Sequence, residues 1–358
     1  MMINKEKGIS LINGLNADAL VLFDEANMHY MCGFSPSEGV VFITKDGAAY
    51  HIVDSRYIET AEENAKNTGL TALEPEKSFF EELAALAKKH GVESVVYESD
   101  TISLLRFNKL KESLGDIGYI ELGDRLMRIR NRKEPDEIVF MKQANGIAES
   151  AFLELLNHVK AGKTEKELAA YFDYLMAKNG SWGLSFDTIL LTGAHTSMPH
   201  GVPSDKVIKE GDFVLFDFGA TYKGYHSDMT RTVAVGSATD EMRSRYNLVL
   251  EAQLAGIKAL EAGVKCKDVY KAARDVLERE NMAEYFRHGL GHGVGLEIHE
   301  GFNSSPKSED TYEVGNVTSI EPGIYLPDKF GIRIEDVLYL SPRGRENLST
   351  ITKELIIL

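Results

Sequence analysis

Four carboxylates and two imidazoles in the later part of the chain have the chemistry of metal ligands: Asp217, Asp228, Glu321, Glu335, His292 and, seven positions on, His299. In VLFDFG, Val214, Phe216 and Phe218 share one face of a strand, which turns Leu215 and Asp217 to the other. An Asp between two phenylalanines is poorly placed for water. Buried without a partner, a carboxylate costs several kcal/mol, roughly, so it calls for a cation or a network of donors. GIRIED repeats the pattern, with Arg333 and Glu335 on one face and Ile332 and Ile334 on the other. For either carboxylate alone, an Arg–carboxylate pair closing the sheet is an equally good account.

The run GLGHGVGLEIHE, residues 289–300, interleaves four glycines with His292 and ends at His299-Glu300. Glycines at this density let the backbone approach a neighbour closely. The GxGxxG spacing of a phosphate cradle is not met, and no helix with a downstream ribose-binding acid follows. A satisfied core histidine remains the competing account of His292 and of His299, and His288 is read as one. The set says more than its members. Asp217, Asp228, His292, Glu321 and Glu335 form an oxygen-rich group with one imidazole. Such a group suits two hard or borderline divalent cations, Mn²⁺, Co²⁺, Fe²⁺ or Zn²⁺, rather than a thiolate zinc site. Four carboxylate charges balance two dications. Coordination lowers the pKa of bound water toward ~7, so the arrangement is hydrolytic.

The elements that must position these groups come in two similar stretches. DFVLFDFGATYKGYHSDMTRTVAV and GNVTSIEPGIYLPDKFGIRIEDVLYL both read as strand, turn, strand with one acid on each arm. Long helices are predicted at 134–159, 165–178, 239–262 and 267–281; in the first, Pro135 opens an apolar stripe of Ile138, Met141, Ala144, Ile147, Ala151 and Leu155. Two helix-plus-hairpin halves, each offering two carboxylates, imply a pseudo-twofold with the site on its axis. Residues 18–125 read as a small α/β unit, with strands at 19–23, 39–44, 48–53 and 95–97 and helices at 59–67 and 79–90. The charged stretch 121–136, with RIRNRK at its centre, reads as a linker, and the domain boundary is placed near residue 127.

The bulk properties are consistent with this picture. The 358 residues suggest two domains or one large one, at roughly 100–200 residues per domain. A net charge of −15 opposes nucleic acid or an anionic membrane as the main partner. Two cysteines, Cys32 and Cys266, far apart and outside any CxxC, speak against a disulfide framework and for a reducing cytoplasm. The N-terminal apolar stretch is too short for a secretory signal, and no run reaches the ~18 apolar residues of a membrane span.

At these residues the sequence resembles the pita-bread metallopeptidases, the family of methionine aminopeptidase, aminopeptidase P and prolidase. SFDTILLTGAHTSMPHG, FDFGATYKGYHSDMTRT, GHGVGLEIHE, TSIEPGIY and GIRIED follow the order of that family's catalytic motifs, and VDSRYIETA with the unit around it resembles the creatinase/prolidase-type N-terminal domain. The closing KELIIL is also similar to the end of the proline-directed members. The resemblance implies an α/β N-terminal domain, residues 1–127, and an α+β pita-bread catalytic domain, residues 128–358. It also implies a role for each matching residue. Asp217 would chelate one metal, His292 and Glu321 the other, and Asp228 and Glu335 would bridge them. His200 and His299 would flank the scissile carbonyl, and Glu321 would relay a proton from the attacking water to the leaving nitrogen. Tyr325 and Arg333 would support the ligating carboxylates by hydrogen bonds.

The extra domain separates the proline-directed branch from methionine aminopeptidases, so the resemblance implies hydrolysis of an Xaa-Pro bond in short peptides. It further implies two divalent ions, Mn²⁺ first, and a homodimer. Many prolidases follow the equivalent of His299-Glu300 with a small residue, Pro and Arg, the Arg serving the dipeptide's carboxylate. Here Gly301, Phe302 and Asn303 stand there, with Lys307 as a substitute source of charge. That departure makes Xaa-Pro aminopeptidase the first reading and Xaa-Pro dipeptidase the alternative. A second departure is Asn316-Val317-Thr318-Ser319 in place of Met-Val-Phe-Thr, expected to alter packing behind the metals without removing a ligand. A non-catalytic binding module and a metal-free amidinohydrolase of the same fold are remote alternatives, since both lack the full ligand set.

Overall fold

The computed structural model describes residues 4–358, and the chain divides into two compact units, Met1–Arg130 and Asn131–Leu358. In the first unit the elements run α1 (Lys5–Gly14), β1 (Ala19–Leu22), α2 (Glu25–Cys32), β2 (Gly39–Thr44), β3 (Ala49–Val53) and α3 (Ile58–Thr68). They continue with β4 (Thr71–Leu73), α4 (Phe79–Lys89), β5 (Ser94–Tyr97), α5 (Leu104–Leu114), β6 (Gly118–Glu121) and α6 (Arg125–Arg130). The strands form one mixed sheet in the order β4-β3-β2-β1-β5-β6. Its central strands are buried from end to end, and the apolar face of α4 (Leu83, Leu86, Ala87) packs on them with Val40, Phe42 and Val95. Each of α2, α4 and α5 starts at a side-chain cap, where Asp24, Ser78 and Ser103 accept the N–H three residues on.

The stretch expected to be a charged linker is instead ordered as β6, α6 and the start of the next helix. Arg130, at the end of α6, is buried and donates through Nη1 to Asn27 Oδ1 at 2.8 Å. Its guanidinium belongs to the interior of this unit, whereas Arg128 and Arg132 of the same run are exposed.

The second unit opens with α7 (Pro135–Leu156), α8 (Glu165–Lys178), β7 (Ile189–Thr192) and a 3₁₀ turn at Gly193–Ser197. Then come β8 (Phe213–Phe218), β9 (Thr221–Tyr222), β10 (Tyr225–His226), β11 (Met229–Ala234), α9 (Asp240–Ala259) and α10 (Cys266–Arg279). The last strands are β12 (Gly291–His292), β13 (Asn303–Ser304), β14 (Val317–Ile320), β15 (Gly323–Leu326), β16 (Phe330–Arg333), β17 (Asp336–Ser341) and β18 (Gly344–Asn347). Strand β8 lies between β7 and β11, and β17 between β14 and β18.

Two cores flank these strands. Alternation along β8 sends Val214, Phe216 and Phe218 into a cluster with Phe152 and Leu155 of α7 and Phe172 of α8. Ile332 and Ile334 enter the other cluster, with Val249 of α9 and Val269, Ala273 and Leu277 of α10. The helices sit where the periodicity places them, with α8 covering 165–178 as expected. The pseudo-twofold is visible in detail: Thr164, just before α8, bridges Val207, and Lys265, just before α10, bridges Thr311.

Candidate metal centre and peptide pocket

All five expected ligands face one cavity. Asp217 sits on β8 opposite Thr230 of β11, and Asp228 immediately precedes β11. Glu321 and Glu335 lie one step beyond the Ile320–Asp336 pair of β14 and β17. His292 ends β12, which is pressed against β14: a Cβ on Gly291 would stand 1.9 Å from the Ser319 carbonyl oxygen, so only glycine fits. The glycines therefore serve strand-to-strand approach. One ligand atom from each of Asp228, His292 and Glu335 falls within 4.8 Å of the others.

The donors here fit cations and fit little else. His292 Nδ1 donates to the Gly293 carbonyl at 3.0 Å, which leaves Nε2 as a lone pair. That lone pair faces Asp228 Oδ2 at 3.4 Å and Glu321 Oε1 at 3.5 Å. Three acceptors aimed at one point repel unless a positive charge lies between them. Asp217 Oδ1 and Glu335 Oε1 are buried and have no partner among the described residues. Burial, then repulsion from Glu335 and Asp217, pushes the Asp228 carboxyl far up, and burial with Glu321 and Asp217 does the same to Glu335. Glu321 is raised mainly by burial, partly offset by His288 and Arg333. Burial also lowers His292, which keeps the imidazole in the neutral, ligating form.

A second layer orients these groups. Arg333 donates Nη2 to Asp217 Oδ2 at 2.6 Å, Nη1 to the Tyr325 hydroxyl at 2.7 Å and Nε to Thr230 Oγ1 at 3.1 Å. Thr230 in turn donates to Glu335 Oε2 at 2.7 Å. The Arg–carboxylate pair weighed as an alternative to a metal thus exists, and each carboxylate still keeps one oxygen for a cation. Tyr325, raised by burial to about 12, stays protonated and bonds His288 Nε2 at 2.9 Å. His288, assigned to the core on sequence, lines the cavity and extends this chain to Asp217. Sequence held one hint, its position at the head of the glycine run.

The polar residues that depart from the family pattern stand directly behind two ligands. Ser319 Oγ accepts the His292 N–H at 3.1 Å and donates to Glu321 Oε1 at 3.3 Å, and Thr318 Oγ1 donates to the His292 carbonyl.

His200 and His299 are exposed at the mouth of a cavity of about 740 Å³. The His299 ring lies 4.1 Å from that of His292, and the partial burial of its inner side holds it below the usual imidazole range. Its loop is held by Glu300, which accepts the N–H groups of Leu296 and Glu297 and pairs with the buried Lys133. Phe186, Ile189, Pro199, Val202 and Ile298 give the cavity apolar walls. Residues 139–342 match metallopeptidase family M24, and residues 6–132 match the creatinase/prolidase N-terminal domain.

The chain belongs to metallopeptidase family M24. The family's resemblance extends through both units. The chain is 34% identical over 352 residues to an Xaa-Pro dipeptidase of Pyrococcus horikoshii, covering 98% of each protein. Among solved structures, it is similar to an Xaa-Pro dipeptidase from Bacillus anthracis, with 37% identity, a TM-score of 0.93 and 99% and 100% of the two chains covered. An X-Pro aminopeptidase from Thermotoga maritima is comparably similar, at 35% identity and a TM-score of 0.92 over 98% and 100% of the chains. As an M24 member the chain is a peptidase that works with divalent metal, and the creatinase-type plus pita-bread architecture expected from sequence is the one present. No helix among the described residues is long and apolar enough to cross a membrane.

Proposed function

We propose that this M24 peptidase hydrolyses the Xaa-Pro bond of short peptides, with Xaa-Pro dipeptides as its first substrates. The supporting observation is the convergence of a five-ligand acidic cluster and two flanking histidines on one apolar-walled cavity. Asp217, Asp228, His292, Glu321 and Glu335 would hold two divalent cations, Mn²⁺ ahead of Co²⁺, Fe²⁺ or Zn²⁺. Such ions, when bound, polarise a carbonyl and acidify a water.

The chain's own groups do the rest. His200 and His299 place N–H donors on either side of the scissile carbonyl and stabilise charge as it develops on that oxygen. Glu321, its pKa raised by burial, takes the proton of the attacking water and returns it to the proline nitrogen as the bond breaks. Phe186, Ile189, Pro199 and Val202 pack against the pyrrolidine ring and the first side chain and exclude water. Arg333 and Tyr325 hold the ligating carboxylates in place.

The aminopeptidase reading that led on sequence now stands second, because relatives named as dipeptidases support the alternative more strongly. It keeps one observation in its favour. Among the described residues Arg333 is the sole Lys or Arg lining this cavity, and its guanidinium is committed to Asp217, Tyr325 and Thr230; Asn303 lines it too, and Lys307 does not. Chelated enzyme restored with Mn²⁺ or Co²⁺ and given Ala-Pro and Ala-Pro-Ala separates the two. Metal-dependent release of alanine from the dipeptide is expected; release from the tripeptide alone would make it an aminopeptidase. Homodimerisation and a cytoplasmic setting belong to the same proposal, and light scattering at micromolar concentration tests the first.

A further inference from the structure

Glu165 opens α8 directly after its Thr164 cap, is fully buried, and is not among the residues lining the cavity. Its carboxyl group nevertheless binds both ends of the segment that lines it. Oε1 accepts the Thr192 N–H at 2.8 Å, and Oε2 accepts the Ser204 N–H at 2.8 Å and the Ser204 hydroxyl at 2.6 Å. His195 Nδ1 lies 2.9 and 3.0 Å from the two oxygens and donates between them. Between these anchors run Pro199, His200, Gly201, Val202 and Pro203, which all line the cavity.

Apart from the 3₁₀ turn at its start, that segment has no regular structure of its own. A loop of this length is ordered only where its ends are tied, and hydrogen bonds to a buried carboxyl group are among the stronger ties available. The other half of the pseudo-twofold supplies a control. The Glu165 N–H donates to the Lys206 carbonyl as the Cys266 N–H does to that of Asp310, so Cys266 is the counterpart of Glu165, and Ser308 that of Ser204. There a buried thiol, a weak hydrogen-bonding group, occupies the position, and its pKa is pushed up to about 12 by burial. At this position the carboxyl group is present only in the half whose loop carries His200; in the other half the loop of His299 is held from within by Glu300.

We propose that Glu165 is a positioning residue for hydrolysis, acting through the Thr192–Ser204 segment to set His200 at the cavity mouth. The proposal rests on the reading of His200 as a substrate-binding group. Its test is a pair of double-mutant cycles on the Mn²⁺-restored full chain, scored by kcat, KM, metal content and melting temperature. Glu165→Gln keeps the shape but presents an NH₂ to groups that are themselves donors. It is expected to lower kcat about tenfold or more at unchanged metal content, and to add less than about twofold in a His200→Ala background. Ser204→Ala, which removes one of the donors, is expected to cost about threefold and likewise to lose its effect beside His200→Ala. An equal penalty in both backgrounds, or wild-type kcat in Glu165→Gln, overturns the proposal. Should Glu165→Gln fail to fold, the Ser204 cycle decides on the same criterion. Wild-type kcat in His200→Ala alone would defeat the reading of His200, and the proposal with it.

Discussion

Glu335 and Asp336 are neighbours in the chain, and both are buried, yet the fold treats their charges in opposite ways. Asp336, on one face of β17, receives Arg231 Nη2 at 2.7 Å, Lys353 Nζ at 2.8 Å, and the side-chain amides of Gln253 and Asn347. Burial pushes its pKa up, but Arg231 and Lys353 outweigh burial and hold it below the usual range. Glu335, facing the cavity, has Thr230 on one oxygen and nothing among the described residues on the other, and its pKa is driven far up. One face of this sheet completes its own charge balance, and the other leaves it open. The open face is the one that needs ions from solution.

That contrast can be broken from either side. The largest effect is expected on the open face. Glu335→Gln removes one carboxylate charge from the proposed metal site without changing volume, and should cut kcat by about 10³-fold or more and lower metal stoichiometry, while the chelated protein melts no lower than wild type. Near-normal activity with two metals bound in this variant would show that the cavity face does not depend on Glu335. On the closed face the order of effects reverses. Asp336→Asn removes the charge that pairs with the buried Arg231 and with Lys353, and should cost about 3–5 kcal/mol in urea unfolding. Metal stoichiometry, measured on the folded fraction at low temperature, should stay at the wild-type value.

The smallest effect sharpens the comparison through pH. In chelated protein, Asp228 and Glu335 have pKa values above those of the unfolded chain. As pH rises past about 4, the unfolded chain loses these protons first, so the native state binds more protons and stability falls with pH. That loss continues up through the raised native pKa values. Metal-loaded protein has cations in place of those protons. The melting-temperature gap between loaded and chelated protein should therefore widen by several degrees from pH 5 to pH 8, roughly, for ΔΔG of one or two kcal/mol. A gap that narrows over this range would mean that the carboxylates are ionised and satisfied without metal.

Much of the candidate centre was legible because strand alternation is a local rule. Once VLFDFG is a strand, Asp217 must lie opposite to Phe216, whatever the rest of the chain does; GIRIED, expected as one strand, instead breaks at Ile334-Glu335 between β16 and β17. Helices α7 to α10 were legible for a similar reason, since an apolar stripe at helical period shows within one segment. The eight residues of α2 offered too few turns to display a period. The Arg-rich stretch before residue 131 read as a linker because nothing nearby in sequence reveals that Arg130 meets Asn27, 103 positions earlier. His288 is hydrogen-bonded at both ring nitrogens, as read, but its place on the cavity wall was hidden for the same reason: its partner Tyr325 lies 37 residues on.

The sequence by itself determined which residues could ligate metal, the face of β8 that Asp217 would occupy, and the class of peptidase to which the chain belongs. These follow from residue chemistry, from periods of two and 3.6 residues, and from motifs in a recognisable order. Only the tertiary structure decided which buried carboxylates are already neutralised and which remain open. Glu335 and Asp336 look alike in the sequence. Their difference arises because Arg231 and Lys353 reach one and only Thr230 reaches the other, and such long-range contacts exist only after the strands have paired.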